Sequence, residues 1–367
     1  MKVGGDGFKE CRFFAPSHLQ SFANSIRFNI SQSFRGRIEM STIEPQGCDA
    51  KTNLIGTHSG TFHADEALAV SLLRSLDRFK SSRLVRTRDP AVLETCDVVV
   101  DVGGKYDPAC HRYDHHQRGF EETYSSDHNT KLSSAGLIYK HFGPEIIANY
   151  LGLSVGDPAL KVLVPKLYKV FVEGIDGVDN GVERYEAVDI NGKPVMQSIR
   201  PKYTCATDLS SRISYLNPNW NEPITNEILD AKFEEASALA GAEFFSRLDY
   251  FAKAWLPVRD LVEKALNNRF KNQVDEFGRV LIFDSSCPWK DHLHTLEKSL
   301  SANPMKSLPL YVLYPDESQK WRIQAIPKIP GGFESRCIFV HASGFIGGNE
   351  TFEGAVKMVQ RALQAKE

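Results

Sequence analysis

The sequence predicts an α/β protein of two domains. A parallel-sheet N-terminal domain is followed by a smaller α/β C-terminal domain, with the active site in the cleft between them. The first observation is the run Asp97-Val98-Val99-Val100-Asp101, which leads into Gly103-Gly104. A continuous β-branched stretch of this kind suits a strand buried on both faces of a parallel sheet. The second is the alternation of strand-like and helix-like stretches around it, which implies right-handed crossovers. The third is a fresh alternation after Pro201, Pro218 and Pro223. That clustering puts the boundary in 190–225, and we set the domains at 48–200 and 201–367.

The elements follow in order. The segment KTNLIGTHSG (51–60) reads as a strand running into a loop with glycines. ADEALAVSLLRSL (64–76) has helical periodicity, with Ala67, Leu68, Leu72 and Leu73 on one face. RLVRTRD (83–89) reads as a strand and PAVLETC (90–96) as a short helix. Residues 131–195 read as mainly helical, with a Gly- and Asp-rich loop ending KLYKVFVEGIDGVDNGV (166–182). A long helical stretch over 221–270 breaks near Pro257. RVLIFD, LPLYVLYP and WRIQAIP then read as strands, and FEGAVKMVQRALQ as a terminal helix.

Composition narrows the function classes. The chain has 367 residues, 42% hydrophobic and 25% charged, with a net charge of −2. That balance is ordinary for a globular protein. It supplies no global basic field for non-specific duplex binding. The seven cysteines are odd in number and form no Cys-x-x-Cys pair, so a reducing compartment is expected and a disulfide framework is not. No apolar run reaches the roughly 20 residues that span a bilayer, so no membrane partner is expected. Between Cys11 and Ile38 there is no Asp or Glu, but Arg12, Arg27, Arg35 and Arg37 occur among several Ser and Phe. That pattern reads as an organellar transit peptide within 1–47, or as a disordered extension without an address. Met40 could serve as a second start.

The chemistry concentrates in one place. Five of the eleven histidines lie between residues 58 and 116. THSGTFHADEA places His58, His63 and Asp65 in a turn leading into a helix, where Asp65 could also serve as a cap. Asp101 ends a hydrophobic strand, and a carboxylate there is costly to bury unless paired or metal-bound. Such a carboxylate can bridge two cations. In CHRYDHHQRG, Asp114, His115 and His116 are contiguous, so they cannot all serve one ion without a sharp turn. The expected division is one metal-binding histidine, one carboxylate that orients, and one histidine facing substrate. A zinc site from Cys110, His111 and His115 competes, but lacks a second Cys pair. EGIDGVDNG offers Asp176 and Asp179, which could equally form an Asp/Gly turn. CIFVHASGFIGG sets His341 after a strand and Gly347-Gly348 in a loop before a helix, where backbone N–H groups can hold anions.

The ordered set His58, Asp65, Asp101, Asp114-His115-His116 and Asp176 resembles the DHH phosphoesterase superfamily. More closely, GTHSGTFHADEALA, VDVGGKYDPACHRYDHHQRGF, EGIDGVDNGV, WRIQAIP and FVHASGFIGG resemble the melanocyte-proliferating-gene family of exonucleases, often labelled metal-dependent protein hydrolases. The match spans roughly residues 50–367. The resemblance implies a 3′-to-5′ RNA exonuclease of mitochondria and nucleus, with a cytoplasmic location as the fallback. It implies one divalent ion on His58, His63 and Asp101, and a second on Asp65, Asp101, His115 and Asp176. His116 would contact the scissile phosphate, and His341 would hold substrate phosphate. The superfamily usually has an aspartate where His63 stands; a second imidazole favours Mn²⁺ over Mg²⁺, with other transition metals open.

The expected partner is therefore single-stranded RNA or a short oligonucleotide. The oligomeric state is not legible. One rival is a small-molecule phosphatase or pyrophosphatase on the same two-metal centre. A wide groove with aromatics would favour RNA over it, and a small pocket rich in Lys and Arg would favour pyrophosphate. A second rival is a non-catalytic scaffold, which has no reason to gather so many carboxylates without cations.

Overall fold

The structure is a computed structural model. It describes residues 53–185, 187, 195, 202–300, 308–332, 334–337 and 346–364. The N-terminal extension with its targeting expectation, Met40 and His341 lie outside the described residues.

The first sheet grows from the apolar runs read in the sequence. β1 (Leu54–Thr57) pairs in parallel with β2 (Arg83–Arg86) on one side and β3 (Val98–Val100) on the other. β5 (Arg112–Tyr113) continues the parallel order beside β3, and β4 (Tyr106–Asp107) closes the edge antiparallel to β5. The order is β2-β1-β3-β5-β4. Val98, Val99 and Val100 are all buried, as a strand covered on both faces requires. Parallel strands share one carboxyl end, so His58, Arg88, Asp101 and Asp114 leave β1, β2, β3 and β5 on the same side. Loops at that end are where open α/β sheets bind ligands.

Helices cover this sheet. α1 (Ala64–Arg74) buries Ala67, Leu68, Leu72 and Leu73. It packs on α3 (Ser134–Leu151) and α7 (Asn226–Tyr250). Between β2 and β3 lies the short α2 (Pro90–Leu93), started by the Asp89 side chain accepting from Ala91 N–H. α4 (Leu160–Leu167) passes through a π-helical turn, Tyr168–Val172, into α5 (Glu173–Asp179). The wider turn changes which face α5 presents relative to α4. α6 (Leu209–Ser214) is capped by Asp208, whose carboxylate accepts from Ser211 N–H.

A second sheet has its own cores. β6 (Val280–Ile282) runs parallel to β7 (Tyr311–Pro315), while β8 (Trp321–Ala325) and β9 (Ile346–Asn349) add antiparallel. Period-2 alternation divides its side chains. Leu281 and Val312 join α8 (Val258–Asn268) and α9 (Trp289–Leu300) in one core. Val280, Tyr311, Leu313 and Ile323 meet Ala355 and Val359 of α10 (Phe352–Gln364) in the other. The α7–α8 stretch breaks before Pro257, through a π turn at Phe251–Trp255.

One expectation is corrected here. Gly347 and Gly348 do not form an anion-binding loop; they lie inside β9, paired with Ile323 and Arg322 of β8. The sheet ladder uses this backbone, and the side-chain-free Gly348 leaves room for the Arg322 guanidinium beside it.

Candidate metal centre

The loop from β1 to α1 carries the first ligand candidates. His63 is the N-cap of α1, and its N–H donates to Glu66 Oε1 at 2.8 Å. That carboxylate closes the helix start as a capping box does. The same Glu66 Oε1 lies 3.0 Å from His58 Nε2. His58 Nε2 also lies 3.2 Å from Asp101 Oδ2.

Asp101 stands at the end of β3 with φ +60°. This is the left-handed region that an Asp tolerates better than most side chains, at some cost in strain. The turn aims both oxygens inward. Oδ2 faces His58, and Oδ1 lies 3.3 Å from His115 Nε2. One carboxylate thus spans two imidazoles on different loops, the arrangement of a bridging ligand.

Asp114, His115 and His116 divide as three different groups. Asp114 is buried; its Oδ2 accepts from Gly104 N–H at 2.5 Å, and its Oδ1 lies 2.7 Å from His116 Nδ1. It fixes both the glycine turn after β3 and the His116 ring. His115 turns inward, with Nε2 3.1 Å from Asp179 Oδ2. His116 projects outward with its side chain 61% exposed. His111 turns away into aromatic company, 3.2 Å from the Tyr113 hydroxyl, and Cys110 is exposed. The zinc reading of Cys110, His111 and His115 is thereby set aside.

Asp176, expected as a metal ligand, has a different set of partners. Asp176 Oδ1 accepts from Ser133 N–H, Ser133 Oγ–H and Gly136 N–H, and Oδ2 accepts from Tyr168 O–H at 2.9 Å. It is saturated as the anion at the start of α3, where N–H groups and the helix dipole favour negative charge. Gly136 is required there, because a Cβ would fall on the Asp176 carboxylate. Asp179, one turn of α5 further on, is the one that faces His115. Asp179, and not Asp176, is the carboxylate whose oxygen joins the converging ligand atoms. Asp65, fully buried on α1, accepts from Ser134 N–H and Oγ–H through Oδ2.

Among the described residues, ligand atoms converge in three overlapping groups: His58, His63, Glu66 and Asp101; Asp101, His115 and His116; His63, Asp65 and Asp179. Glu66 was absent from the sequence reading, because a Glu three residues into a helix reads as a cap. The fit to cations rests on buried atoms that the protein itself leaves short of partners. Asp65 Oδ1 and Glu66 Oε2 are buried without a hydrogen bond, and Asp101 Oδ1 and Asp179 Oδ2 have within hydrogen-bonding reach only the shared His115 Nε2, at 3.3 and 3.1 Å. Buried acceptors of this kind are costly unless something positive meets them.

The electrostatics agree. Burial and the charges of Asp101, Glu66 and Asp179 push Asp65 well above the usual carboxylate range. Burial disfavours charged imidazole at His58, yet Asp101 and Glu66 outweigh it and lift His58 to about 10. Burial is likewise outweighed by Asp101 and Asp179 at His115, raised to about 10. Burial would raise Asp101, but His115 and His58 hold it down at about 2. The centre draws positive charge. Its donor set, several imidazoles with several carboxylates, suits borderline transition metals better than the all-oxygen shells of Mg²⁺.

This centre opens into a cleft of about 720 Å³. Its walls include Arg88, His116, Gly103 and Gly104 on one side, and Val178, Ser210, Ser214 and Tyr215 on the other. Tyr215 is 68% exposed. None of these lining residues comes from the second sheet.

Comparison with known proteins places these residues within longer similarities. A family model, MYG1_exonuc, described as "Uncharacterised protein family (UPF0160)", matches residues 54–337 and 335–363. The MYG1 exonucleases of Bos taurus and Homo sapiens are each 46% identical to the chain over 338 residues, 84% of this chain and 84% and 85% of their own. The MYG1 protein of Dictyostelium discoideum is 43% identical over 333 residues, 84% of this chain and 96% of its own. Among solved structures, RecJ of Thermus thermophilus in complex with Mg²⁺ is 12% identical, covering 85% of this chain and 49% of that one. Its TM-score is 0.17, too low to bear on the fold.

Proposed function

The chain belongs to the MYG1 exonuclease family, and on that premise we propose that it is a divalent-metal-dependent phosphodiesterase that removes nucleotides from the 3′ end of single-stranded RNA. The observation that carries this reading is Asp101, with Oδ2 3.2 Å from His58 and Oδ1 3.3 Å from His115. A carboxylate spanning two imidazoles, ringed by unpartnered buried acids, is built for two cations.

His58, His63, Glu66 and Asp101 would hold one ion; Asp101, His115, Asp65 and Asp179 would hold the other. Divalent cations there supply Lewis acidity and water of lowered pKa near neutrality, with Mn²⁺ favoured. The chain's own residues do the rest. Asp101 fixes the spacing of the two ligand sets. Asp114 holds His116 by Nδ1, which leaves Nε2 directed away from that carboxylate. From there it can give a proton to the leaving 3′ oxygen. Asp65 and Asp179 balance positive charge.

The cleft supports a nucleotide rather than pyrophosphate. Its lining includes the exposed ring of Tyr215 and the Val178 side chain, a surface on which a base can stack. Among the described residues, Arg88 is the one Arg or Lys in the lining, whereas a pyrophosphate pocket needs several. In this reading the C-terminal half closes the site, with His341 on substrate phosphate. The Arg- and Ser-rich N-terminus supports delivery to mitochondria, and a product starting at Met40 would lack that segment.

The test uses purified protein, 5′-labelled single-stranded RNA and Mn²⁺. A ladder that shortens progressively from the 3′ end is expected, abolished by chelator and by Asp101→Ala. An intact strand in Mn²⁺ would remove the nuclease reading, and orthophosphate release from pyrophosphate would put the phosphatase in its place.

A further inference from the structure

Two arginines leave β2 two residues apart, and they have different fates. The Arg86 side chain is 1% exposed. It donates to Gly60 O at 2.6 Å, pairs with Asp230 at 3.1 Å and lies over the rings of Phe62 and Phe233. It pins the loop between His58 and His63, and its burial keeps it from a ligand in the cleft. Arg88 lines the cleft. No carboxylate pairs with it among the described residues. Its neighbour Asp89 is occupied in capping α2. The contact Arg88 does make is from Nη2 to His58 Nδ1, at 3.2 Å.

That contact does not hold the guanidinium as a carboxylate would. His58 Nδ1 has a second neighbour, the Ser59 carbonyl 3.2 Å away, so the ring does not depend on Arg88 for a partner. Among the described residues, Arg88 thus stands without a counter-ion on the wall of a cleft otherwise rich in acids.

Resting on the RNA reading above, we propose that Arg88 is the phosphate anchor of this site, binding the non-bridging oxygens of the scissile phosphate. The guanidinium is a planar fork of donors matched to phosphate, always charged and weakly hydrated. His58 connects it to Asp101 through contacts of 3.2 Å on either side, so it stands beside the bridging carboxylate. Its role is to bind and orient substrate. It ligates no metal, since it has no lone pair to give.

The experiment measures RNA binding separately from turnover. Fluorescence anisotropy with a labelled single-stranded RNA and Mn²⁺ is run in a His116→Asn background, which slows cutting. Arg88→Ala is expected to weaken binding about tenfold to a hundredfold. It should also lower the slope of log affinity against log salt by about 0.7, the loss of one phosphate contact on a single strand. Arg88→Lys should keep the slope and recover part of the affinity. Bound manganese, measured by elemental analysis, should match the parent in every Arg88 variant. Arg88→Gln, which keeps a polar side chain and removes the charge, serves if the alanine variant does not fold.

Unchanged affinity and salt slope would overturn the proposal. So would loss of manganese in parallel with loss of binding, which would make Arg88 a support for His58. If wild type cuts RNA while Arg88 variants bind as the parent does, this inference alone fails. If wild type neither binds nor cuts RNA, the functional reading fails with it.

Discussion

His116 Nδ1 lies 2.7 Å from Asp114 Oδ1, and the His116 side chain remains 61% exposed. A buried carboxylate thus fixes one nitrogen of a ring whose other nitrogen meets the cleft. Asp114→Ala should lower kcat about 10²–10⁴-fold, the usual contribution of a positioned acid or base. Bound manganese should stay near the wild-type level, because Asp114 is not among the metal-binding groups. A matched loss of metal would show that Asp114 supports the ion sites instead.

Asp65 illustrates the conflict built into the centre. Its Oδ2 is satisfied by Ser134, its Oδ1 has no partner, and neighbouring carboxylates resist its charge. Asp65→Asn keeps an acceptor for Ser134 and removes the buried charge. In chelator, its melting temperature is expected to equal or exceed that of wild type. Manganese should raise the wild-type melting temperature by ligand linkage, and the variant should lose most of that gain. Differential scanning fluorimetry with and without Mn²⁺ reads both effects.

Asp176 and Asp179 should separate cleanly by measurement. Asp176→Ala removes the acceptor of Ser133, Gly136 and Tyr168 and should cost about 1–3 kcal/mol in urea unfolding, as lost caps and buried hydrogen bonds do. Asp179→Asn should leave unfolding in chelator nearly unchanged and reduce bound manganese and activity together. The reverse pattern would return Asp176 to the ligand set.

Acid sensitivity should come partly from the second half of the chain. His292 is 1% exposed, and its Nε2 lies 2.8 Å from Trp255 O. Burial is the largest influence and lowers its pKa; Arg259 and Lys166 add to the fall, while the Trp255 carbonyl and Asp291 oppose it. In the unfolded chain the imidazole titrates near its ordinary value of about 6.5. Below that pH the unfolded state binds the proton more readily, so stability falls as pH falls from about 6.5 toward the lower folded pKa. Urea unfolding from pH 8 to about 5 in chelator should show the decline. In His292→Gln, part of it should flatten.

The carboxyl-end clustering was legible because parallel strands have one polarity. Once Leu54–Thr57 and Val98–Val100 are read as parallel strands, His58 and Asp101 must emerge on the same side. The long helix of 226–250 was legible as an uninterrupted stretch free of Pro, ending before Pro257, and the terminal helix of 352–364 from its apolar periodicity. Gly347-Gly348 misled because a glycine pair before a helix has two uses. The competing one, a strand passing close to Arg322, leaves no local mark.

By itself, then, the sequence determined the residue types of the centre and the end of the sheet where they meet, since periodicity and strand polarity are local properties. Only the tertiary structure decided which of them face one another. Asp176 and Asp179 are three residues apart on one helix, and the packing of α5 against the start of α3 turns the first toward N–H donors and the second toward His115. Glu66 reads as a cap until β1 brings His58 to the same oxygen. Arg86 and Arg88 lie two residues apart in one strand-like segment, yet Asp230 and Gly60 take the first and leave the second at the cleft. In each case the partner lies on another element, and a side chain's role there depends on direction, which sequence spacing does not carry.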